Sequence, residues 1–349
     1  MTTGTRLHPP VTPDVLRQAI ARLPRVLLAD LPTPLRDCAR LSVELGGPRI
    51  LIKRDDMTGL ALGGNKLRNL EFRLAEARDM GADVVIAGLE AQSNSARQTT
   101  AAASILGMST VLVLNAPEES DFLGNMLIDR IMGAEVILYP AETAATMDAK
   151  LRAVAAEWVA RGHRPYVMNH AKFFGIGSAA AYILCTLEIL EQLTALHLGP
   201  PDYLYMCSGS KGQAGLEIAV RALGLEATKI VGISAHREPT RISDTVEIVR
   251  QAADAIGITM SVAPSEITNS ANYVGPGYSI PSDDGIEAIK LVARTEGILL
   301  DPVYSGKAMA GLIDHIRSGH IGRGQTVVFI HTGGTPALFA FKDELLARL

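Results

Sequence analysis

Short apolar runs alternate with helix-like segments along most of this chain. Residues 83–88 and 109–115 are strand-like, and each run precedes a segment whose apolar residues have helical spacing. A second series begins with a long apolar helix at residue 176 and ends with a helix near the C terminus. Such alternation is typical of parallel strands, because each helix returns the chain along the face of the sheet. The sequence therefore predicts an α/β fold with mainly parallel, twisted sheets.

The length of the chain predicts two domains within that fold. Its 349 residues exceed what a single hydrophobic core usually organises. We expect two three-layer α/β domains, a large one formed by residues 1–60 and 176–349 and a smaller one formed by residues 61–175. A ligand is expected in the cleft between them, because open α/β sheets bind ligands beyond the carboxyl ends of their strands.

Charge, hydropathy and cysteine content argue against several classes of function. The formal net charge of -4, without a block of like charges, gives no reason to expect a nucleic-acid partner. No uninterrupted apolar run reaches the roughly 18 residues that span a membrane, and the N terminus lacks the pattern of a signal peptide. Cys38, Cys185 and Cys207 are odd in number and widely spaced, which favours reduced thiols and argues against a structural metal. We therefore expect a cytoplasmic enzyme without a metal.

The most informative local motif is GGNKLRNLEF, residues 63–72. Paired glycines and an asparagine hold the backbone in a turn, and Lys66 follows at the start of a helix-like segment. A lysine held in this way can be desolvated, which lowers its pKa and makes its amine a nucleophile toward aldehydes. The motif alone leaves open the alternative of a solvated lysine on the first turn of a surface helix.

Other segments place small or polar residues where a strand gives way to a helix or loop. Within MCSGSKGQAGLEIAV, residues 208–212 form either a cradle of backbone N–H groups for a phosphate or a plain turn. The serines and asparagine of QSNSARQ, residues 92–98, either cap a helix or bind a carboxylate. Tyr278 and Tyr304 lie beside glycine or serine in loops, where a phenol either reaches a cleft or packs in the interior.

Taken together, these segments resemble the fold-type II pyridoxal-phosphate (PLP) enzymes, in particular the group containing D-cysteine desulfhydrase and 1-aminocyclopropane-1-carboxylate (ACC) deaminase. The resemblance extends from about residue 31 to the C terminus. It rests on LPTPL, IKRDD, GGNK, QSNSARQ, SGSKGQAG, YVGPGY, DPVYSGKAMAG and HTGGTPAL in this order. It implies a tryptophan synthase β-like fold, PLP as the cofactor, a small amino-acid substrate and a homodimer. The large domain would bind PLP, and the smaller one would carry the loop for the substrate carboxylate.

The resemblance also implies a role for each matching residue. Lys66 is expected to carry the cofactor as a Schiff base, and the other expected catalytic residues are Ser93, Tyr278 and Tyr304. Ser305 is expected to face the pyridine nitrogen. The full set expected to contact the cofactor is Lys66, Asn94, Ser208, Gly209, Ser210, Lys211, Gly212, Ser305 and Thr332. The set expected to contact the substrate is Gln92, Ser93, Asn94, Ser95, Tyr278 and Tyr304.

The reaction implied is an α,β-elimination that converts a small amino acid into a 2-oxo acid and ammonia. The freed Lys66 amine would remove the Cα proton, and the β-substituent would leave. D-cysteine or a related β-substituted alanine such as L-cysteate is the expected substrate. Three alternatives stay open: ring opening of a cyclopropane amino acid, β-replacement, and binding of PLP and an amino acid without catalysis. The cyclopropane deaminases have glutamate in place of Ser305 and leucine in place of Thr332, which favours the desulfhydrase interpretation.

Three departures from the resembled group concern the same site. Ser95 replaces the histidine of a usual QSNH, and residues 169–173 replace a glycine-containing turn. Asn69 stands where the group tends to have a second lysine that contacts the phosphate. Our hypothesis is that Lys211 supplies the missing charge, the alternative being that it points to solvent. The histidine and lysine within residues 169–173 either contact the substrate or are simply solvated.

Overall fold

The computed structural model describes residues 10–237 and 241–349. The part of the predicted large domain before residue 10 lies outside this description. The strands are β1 (Leu35–Asp37), β2 (Arg49–Lys53), β3 (Val84–Glu90), β4 (Ser109–Asn115), β5 (Glu135–Leu138), β6 (Pro165–Val167), β7 (Tyr203–Cys207), β8 (Lys229–Ile233), β9 (Thr268–Ser270) and β10 (Thr326–Ile330). The helices are α1 (Pro13–Ile20), α2 (Ala39–Glu44), α3 (Lys66–Asp79), α4 (Asn94–Ile105), α5 (Gly124–Ile131), α6 (Ala144–Ala160), α7 (Ile176–Ala195), α8 (Lys211–Ala222), α9 (Arg241–Ala255), α10 (Asp283–Glu296), α11 (Ser305–Arg317), α12 (Ala337–Ala340) and α13 (Lys342–Leu346).

The larger sheet has six strands in the order β1-β2-β10-β7-β8-β9. All neighbours pair in parallel except β1 and β2, which are antiparallel. Successive residues of β10 point to opposite faces, as the two-residue period of a strand requires. Val327 and Phe329 pack in the core with α10 and α11, whereas Val328 and Ile330 pack in the core with α7 and α8. Helices therefore cover both faces of this sheet.

The smaller sheet has four parallel strands in the order β5-β4-β3-β6. Val85 and Ala87 of β3 pack in the core with α3 and α4, and Val84 and Ile86 pack against α6. This sheet is also covered on both faces. The prediction of a layered α/β fold with mainly parallel sheets is confirmed. The strands of the smaller sheet all fall within residues 61–175 and those of the larger sheet all fall outside that range.

Helix α7 is long and apolar enough, by length and composition, to cross a membrane. In the folded chain, 67% of its most apolar window is buried. It packs against α8, α3 and α9, so that its apolar residues contribute to the core of the large sheet. The interior packing of α7 accounts for its hydropathy without a membrane.

Candidate active site

A cavity of about 360 Å³ lies beyond the carboxyl ends of strands from both sheets. Its wall includes Glu90, the last residue of β3, and Cys207, the last residue of β7. This is the edge at which parallel α/β sheets bind ligands. The predicted site residues that the structure brings to this wall are Lys66, Ser93, Asn94, Ser95, Ser208, Gly209, Lys211, Gly212, Tyr278, Tyr304 and Thr332.

The paired glycines before Lys66 are required by close contacts. Gly63 has φ +63°, and a Cβ there would lie 2.1 Å from the Asp56 carbonyl oxygen. Gly64 has φ +125°, and a Cβ there would lie 2.4 Å from Nε2 of Gln98. The Thr58 hydroxyl donates to the Gly64 carbonyl at 2.7 Å and accepts from the Gly64 N–H at 2.8 Å. The turn is therefore fixed by sterics and by a side chain, and it delivers Lys66 to the first position of α3.

The start of α3 is fastened to three other elements. The Leu67 N–H donates to Oε1 of Gln98 on α4 at 3.0 Å, and Nδ2 of Asn65 donates to the Tyr182 hydroxyl on α7 at 2.9 Å. The Asn65 N–H donates to the Thr332 carbonyl at 3.1 Å. Burial lowers the pKa of the Lys66 amine, and the Arg73 guanidinium lowers it further. The structure thus holds Lys66 in a fixed place with a raised fraction of nucleophilic, neutral amine.

The junction of β7 and α8 forms an open helix N terminus at the cavity. Ser210, the residue before α8, makes no side-chain cap, and Lys211 and Gly212 line the cavity. A Cβ on Gly212 would lie 2.8 Å from Cε of Met206 and 3.1 Å from the Tyr182 ring. Only glycine therefore lets the start of α8 pack this closely against β7 and α7. The first amides of a helix that lacks a cap are suited to bind an anion.

Two cations, the buried Arg73 and the half-buried Lys211, flank Phe174 next to this helix end. The Arg73 guanidinium lies 4.3 Å from the centroid of the Phe174 ring, and Nζ of Lys211 lies 4.1 Å from it. Burial lowers the pKa of Lys211 to about 8, with Lys66 and Arg73 adding to the effect, and burial lowers the pKa of Arg73 to about 10. Neither cation forms an ion pair with a carboxylate within the described residues. Cations that are shielded from solvent and lack a carboxylate partner favour the binding of an anion at this end of the cavity.

Helix α4 presents a second N terminus to the cavity. The Ser93 hydroxyl caps it by accepting from the N–H groups of Ser95 and Ala96, each at 3.2 Å. The Asn94 side-chain oxygen accepts from Asn125 at 3.1 Å and from Arg97 at 3.4 Å. Because that oxygen is occupied, the Nδ2 donor is the half of the Asn94 amide available to a ligand.

Tyr278 and Tyr304 meet at the cavity. Their hydroxyl oxygens lie 2.5 Å apart, and burial raises the pKa of both phenols above the usual value, most strongly for Tyr304. Both therefore stay protonated at neutral pH. The backbone of Tyr304 is held by Asp301, whose carboxylate accepts its N–H at 2.9 Å. The pair provides one shared hydrogen bond and one further O–H that can donate to a ligand.

Three of the predicted site residues do not line this cavity in the described structure. The Ser305 hydroxyl is buried and donates to the Asp301 carboxylate at 2.6 Å, so it is engaged in the N terminus of α11 and does not line the cavity. The Gln92 amide bridges to the start of α5, donating to the Leu123 carbonyl at 2.9 Å and accepting from the Asn125 N–H at 3.0 Å. Ser210 lies behind the turn, with its N–H bonded to the Ser208 hydroxyl at 3.2 Å. Their proposed contacts with ligands stay predictions.

The unusual loop at residues 169–173 contributes an asparagine to the cavity. The Asn169 side chain accepts from the Gly88 N–H at 3.0 Å and donates to the Gly88 carbonyl at 3.1 Å. The Asn169 side chain thereby takes the place of a further backbone pair beyond the last paired residues of β3 and β6. His170 and Lys172 are exposed, and His170 is bonded to Asp148 outside the cavity. Of the two positions where the sequence left substrate contact open, neither lies on the cavity wall.

A larger cavity of about 990 Å³ lies at the other end of the large sheet. Tyr203 and Lys229, the first residues of β7 and β8, line it. Ligand sites of parallel sheets lie at the opposite, carboxyl end of the strands. The smaller cavity, which contains Lys66, is therefore the candidate active site.

Comparison with known proteins agrees with this geometry. A family described as "Pyridoxal-phosphate dependent enzyme" matches residues 26–333. The chain belongs to this family. It is 39% identical over 337 residues to a protein named D-cysteine desulfhydrase from Serratia proteamaculans, covering 95% of this chain and 99% of that one. It is 40% identical over 333 residues to a protein of the same name from Salmonella typhi, covering 93% and 98%. A crystal structure described as an ACC deaminase homologue matches with a TM-score of 0.83 and 33% identity, over 98% of this chain and 100% of that one.

These similarities confirm the predicted family, enzyme class and cofactor: the chain is a PLP-dependent lyase of the desulfhydrase and ACC deaminase group. The cavity also fits this cofactor on its own evidence. The uncapped end of α8 and the unpaired cations suit its phosphate, and the Lys66 amine suits its aldehyde. Oδ1 of Asn69 and Nε of Arg73 are buried without a hydrogen-bond partner, and both residues line the cavity.

Proposed function

We propose that this enzyme eliminates the β-substituent of D-cysteine or of a related β-substituted alanine, such as L-cysteate, releasing a 2-oxo acid and ammonia. The observation that carries the proposal is the presence of a desolvated lysine, two helix N termini and a protonated phenol pair around one cavity. The names of the relatives support the choice of D-cysteine as the first substrate to test.

Each group has a part in this reaction. When bound, PLP withdraws electrons from the substrate Cα, which makes the Cα proton acidic. Lys66 in its neutral form accepts that proton. The start of α4 holds the substrate carboxylate through the Asn94 N–H and the hydroxyl groups of Ser93 and Ser95, because the N–H groups of Ser95 and Ala96 are engaged by the Ser93 cap. Nδ2 of Asn94 would donate to the phenolic oxygen of bound PLP, and Thr332 lines the same cavity. The Tyr278 and Tyr304 pair donates a proton to the leaving group as its bond to Cβ breaks.

The purified protein, loaded with PLP, should release pyruvate from one enantiomer of cysteine and little from the other. The measurement is a panel of D- and L-amino acids with detection of the 2-oxo acid and of the released sulfide. Release of 2-oxobutyrate from 1-aminocyclopropane-1-carboxylate would instead identify a deaminase. A new thioether formed when a second thiol is added would identify a β-replacement synthase. A shifted cofactor absorbance without any product would contradict the lyase assignment for these amino acids.

We also propose that Lys211 binds the phosphate of PLP in place of an ammonium group at position 69. The support is the position of its Nζ on the cavity, beside Arg73 and the open end of α8, with a pKa lowered to about 8 by burial and by neighbouring cations. The dianionic phosphate of PLP would relieve the repulsion between Lys211 and the neighbouring cations. An ammonium group within a few Å of a phosphate contributes on the order of a few kcal/mol at an intermediate dielectric.

Replacing Lys211 by alanine should raise the dissociation constant of PLP by roughly 10- to 100-fold, because a charge-assisted contact is lost. The dissociation constant of pyridoxal, which lacks the phosphate, should change by less than about threefold. Both are measured by absorbance titration of cofactor-free protein, and exposed Lys172→Ala serves as the matched control. The affinity of the wild type for PLP should fall above about pH 8, because Lys211 loses its proton there. This part of the pH dependence should be absent in Lys211→Ala.

A rescue variant separates the proposed charge from a structural effect. Adding Asn69→Lys to Lys211→Ala should restore much of the affinity for PLP, because it places an ammonium group on the facing helix α3. Equal weakening of PLP and pyridoxal binding by Lys211→Ala, without rescue, would show that Lys211 does not act through the phosphate.

We further propose that the protein is a cytoplasmic homodimer with no nucleic-acid or membrane partner. Cys38, Cys185 and Cys207 are all free thiols, which supports a reducing compartment. The resemblance to the desulfhydrase group supports the dimer. Light scattering on the eluted protein measures the mass, with 37.1 kDa per chain as the reference.

A further inference from the structure

His236 lies face to face with Tyr278. The two ring centroids are 3.8 Å apart and the ring planes differ by 18°. Tyr278 in turn meets Tyr304 edge-on, with centroids 6.0 Å apart and the hydroxyl oxygens in contact. All three side chains line the cavity that contains Lys66. The imidazole therefore belongs to the wall of the active site, although it makes no described contact with the Lys66 amine.

The backbone that carries the imidazole is held from both sides. The buried Ser234 hydroxyl donates to the His236 carbonyl at 2.7 Å and accepts from the His236 N–H at 3.1 Å. The Ser234 N–H donates to the Ser270 carbonyl at 2.8 Å, which continues the pairing of β8 with β9. The imidazole thus projects from the end of the large sheet and not from an unsupported loop.

The loop that carries Tyr278 is a turn closed by a single bridge between Gly277 and Ile280. Lys307 is buried and donates from Nζ to the carbonyls of Val274 and Gly277, each at 2.7 Å. Arg237 donates to the Gly275 carbonyl. These bonds fix the backbone before Tyr278 but do not contact its ring. In the described structure the Tyr304 hydroxyl holds the tip of that ring, and the imidazole of His236 covers its face.

The orientation of the Tyr278 ring matters for proton donation. Two hydroxyls that share a hydrogen bond have one donor and one acceptor role between them, so a single O–H remains for the substrate. Proton transfer requires heavy atoms within about 2.6–3.2 Å, and a misplacement of about 1 Å costs roughly 100-fold in rate. A rotated Tyr278 would break the contact with Tyr304 and misplace the remaining proton.

We propose that His236 is a positioning residue that holds Tyr278 so that the phenol pair protonates the leaving group. This proposal rests on the elimination proposed above. As the bond between Cβ and the β-substituent breaks, its electron pair stays with the leaving atom. That atom takes a phenol proton, and the phenolate is reprotonated by the ammonium group that Lys66 forms when it accepts the Cα proton. The imidazole itself exchanges no proton with the substrate.

The test compares a variant that keeps the stacked ring with one that removes it. His236→Phe should retain kcat for the amino acid with a thiol leaving group to within about threefold. His236→Ala should lose roughly 10- to 100-fold in kcat with little change in KM, because the substrate still binds while the proton is misplaced. With β-chloroalanine of the same configuration, both variants should match the wild type, because chloride leaves without a proton. An equal loss on both substrates, or no loss in His236→Ala, would overturn the proposal.

A second measurement does not depend on turnover. In crystal structures of the two variants, the contact between the hydroxyls of Tyr278 and Tyr304 should persist in His236→Phe and be lost in His236→Ala. Persistence of the contact in His236→Ala would contradict the proposed role, whatever the activity. Failure of the wild type to release a 2-oxo acid from any β-substituted alanine would instead overturn the proposed function, and the two outcomes are distinct.

Discussion

Replacing Lys66 by alanine should lower the rate of 2-oxo acid formation by at least about 10³- to 10⁴-fold, because one side chain is expected to serve both as the nucleophile and as the base. The structure gives a physical reason for that double role. Burial lowers the pKa of Lys66, and the turn before it, closed by the Thr58 hydroxyl, fixes where the amine can reach. Alanine keeps the helix start intact, since it is a good helix former.

Two measurements identify the role of Lys66 directly. Treatment of the PLP-loaded wild type with borohydride should leave the cofactor attached to the peptide that contains Lys66, as read by mass spectrometry, and no such adduct should form in Lys66→Ala. Lys66→Arg keeps a cation but not the nucleophile, so it should be as inactive as the alanine variant. The control is Lys172→Ala, in which an exposed lysine is removed and activity is expected to be unchanged. Attachment at another lysine would refute the assignment.

The sequence could predict much of the candidate site because most of it comes from contiguous motifs at strand ends. Two strand-to-helix junctions, at Ser93 and at Ser208, line the cavity. In the sequence, each junction is recognisable as small residues after an apolar run. Parallel topology brings such junctions to one edge of the sheets. Lys66 and the two tyrosines then follow from the order of the motifs.

Other residues of the wall lie outside these motifs and are indicated by the sequence weakly or not at all. Arg73 lies seven residues after Lys66, two turns along the same face of α3, so helical spacing could have indicated it. His236 follows the end of β8, and only its position after a parallel strand indicates that it lies at the ligand edge. Phe174 depends on where the loop after β6 crosses the cavity, which is set by tertiary packing alone.

Side-chain direction is where resemblance carries least information. Ser305 occupies the position expected for a partner of the pyridine nitrogen, but its hydroxyl is bonded to Asp301 four residues earlier. That local contact competes with any contact across the cavity. Helix boundaries show a similar limit. The sequence predicts a single closing helix, whereas the structure has α12 and α13, separated at Phe341 with φ -106° and ψ 28°.

Replacing Arg68 by methionine should destabilise the protein by about 3–5 kcal/mol, the largest effect we expect on folding from a residue outside the cavity. Arg68 is 1% exposed and Asp55 is 0% exposed. The guanidinium donates to both Asp55 carboxylate oxygens, at 2.8 and 2.9 Å, and to both Glu188 oxygens at 2.8 Å. Burial alone would lower the pKa of Arg68, but the carboxylates raise it well above its usual value. Methionine fills the volume and leaves the buried Asp55 charge without its partner.

The measurement is the free energy of unfolding from denaturant titration of the cofactor-free protein. Arg78→Ala on the same helix is the matched control, because Arg78 pairs with Asp79 at the surface, where both side chains are about half exposed. That variant should lose no more than about 0.5 kcal/mol. Arg68→Met combined with Asp55→Leu should recover part of the loss, because no unpaired charge then remains at Asp55. Equal effects of Arg68→Met and Arg78→Ala would contradict the argument.

The same variant tests how the fold supports the site. Arg68 lies two residues after Lys66, and its bonds tie the first turn of α3 to α7 and to the segment after β2. If that network holds Lys66 in place, Arg68→Met should also weaken PLP binding under conditions in which the variant is fully folded. The double variant with Asp55→Leu should regain stability more fully than it regains PLP affinity, because apolar packing replaces the lost charge energy without restoring directional bonds to α7. Recovery of both in parallel would mean that stability alone, and not the geometry of the network, governs the position of the lysine.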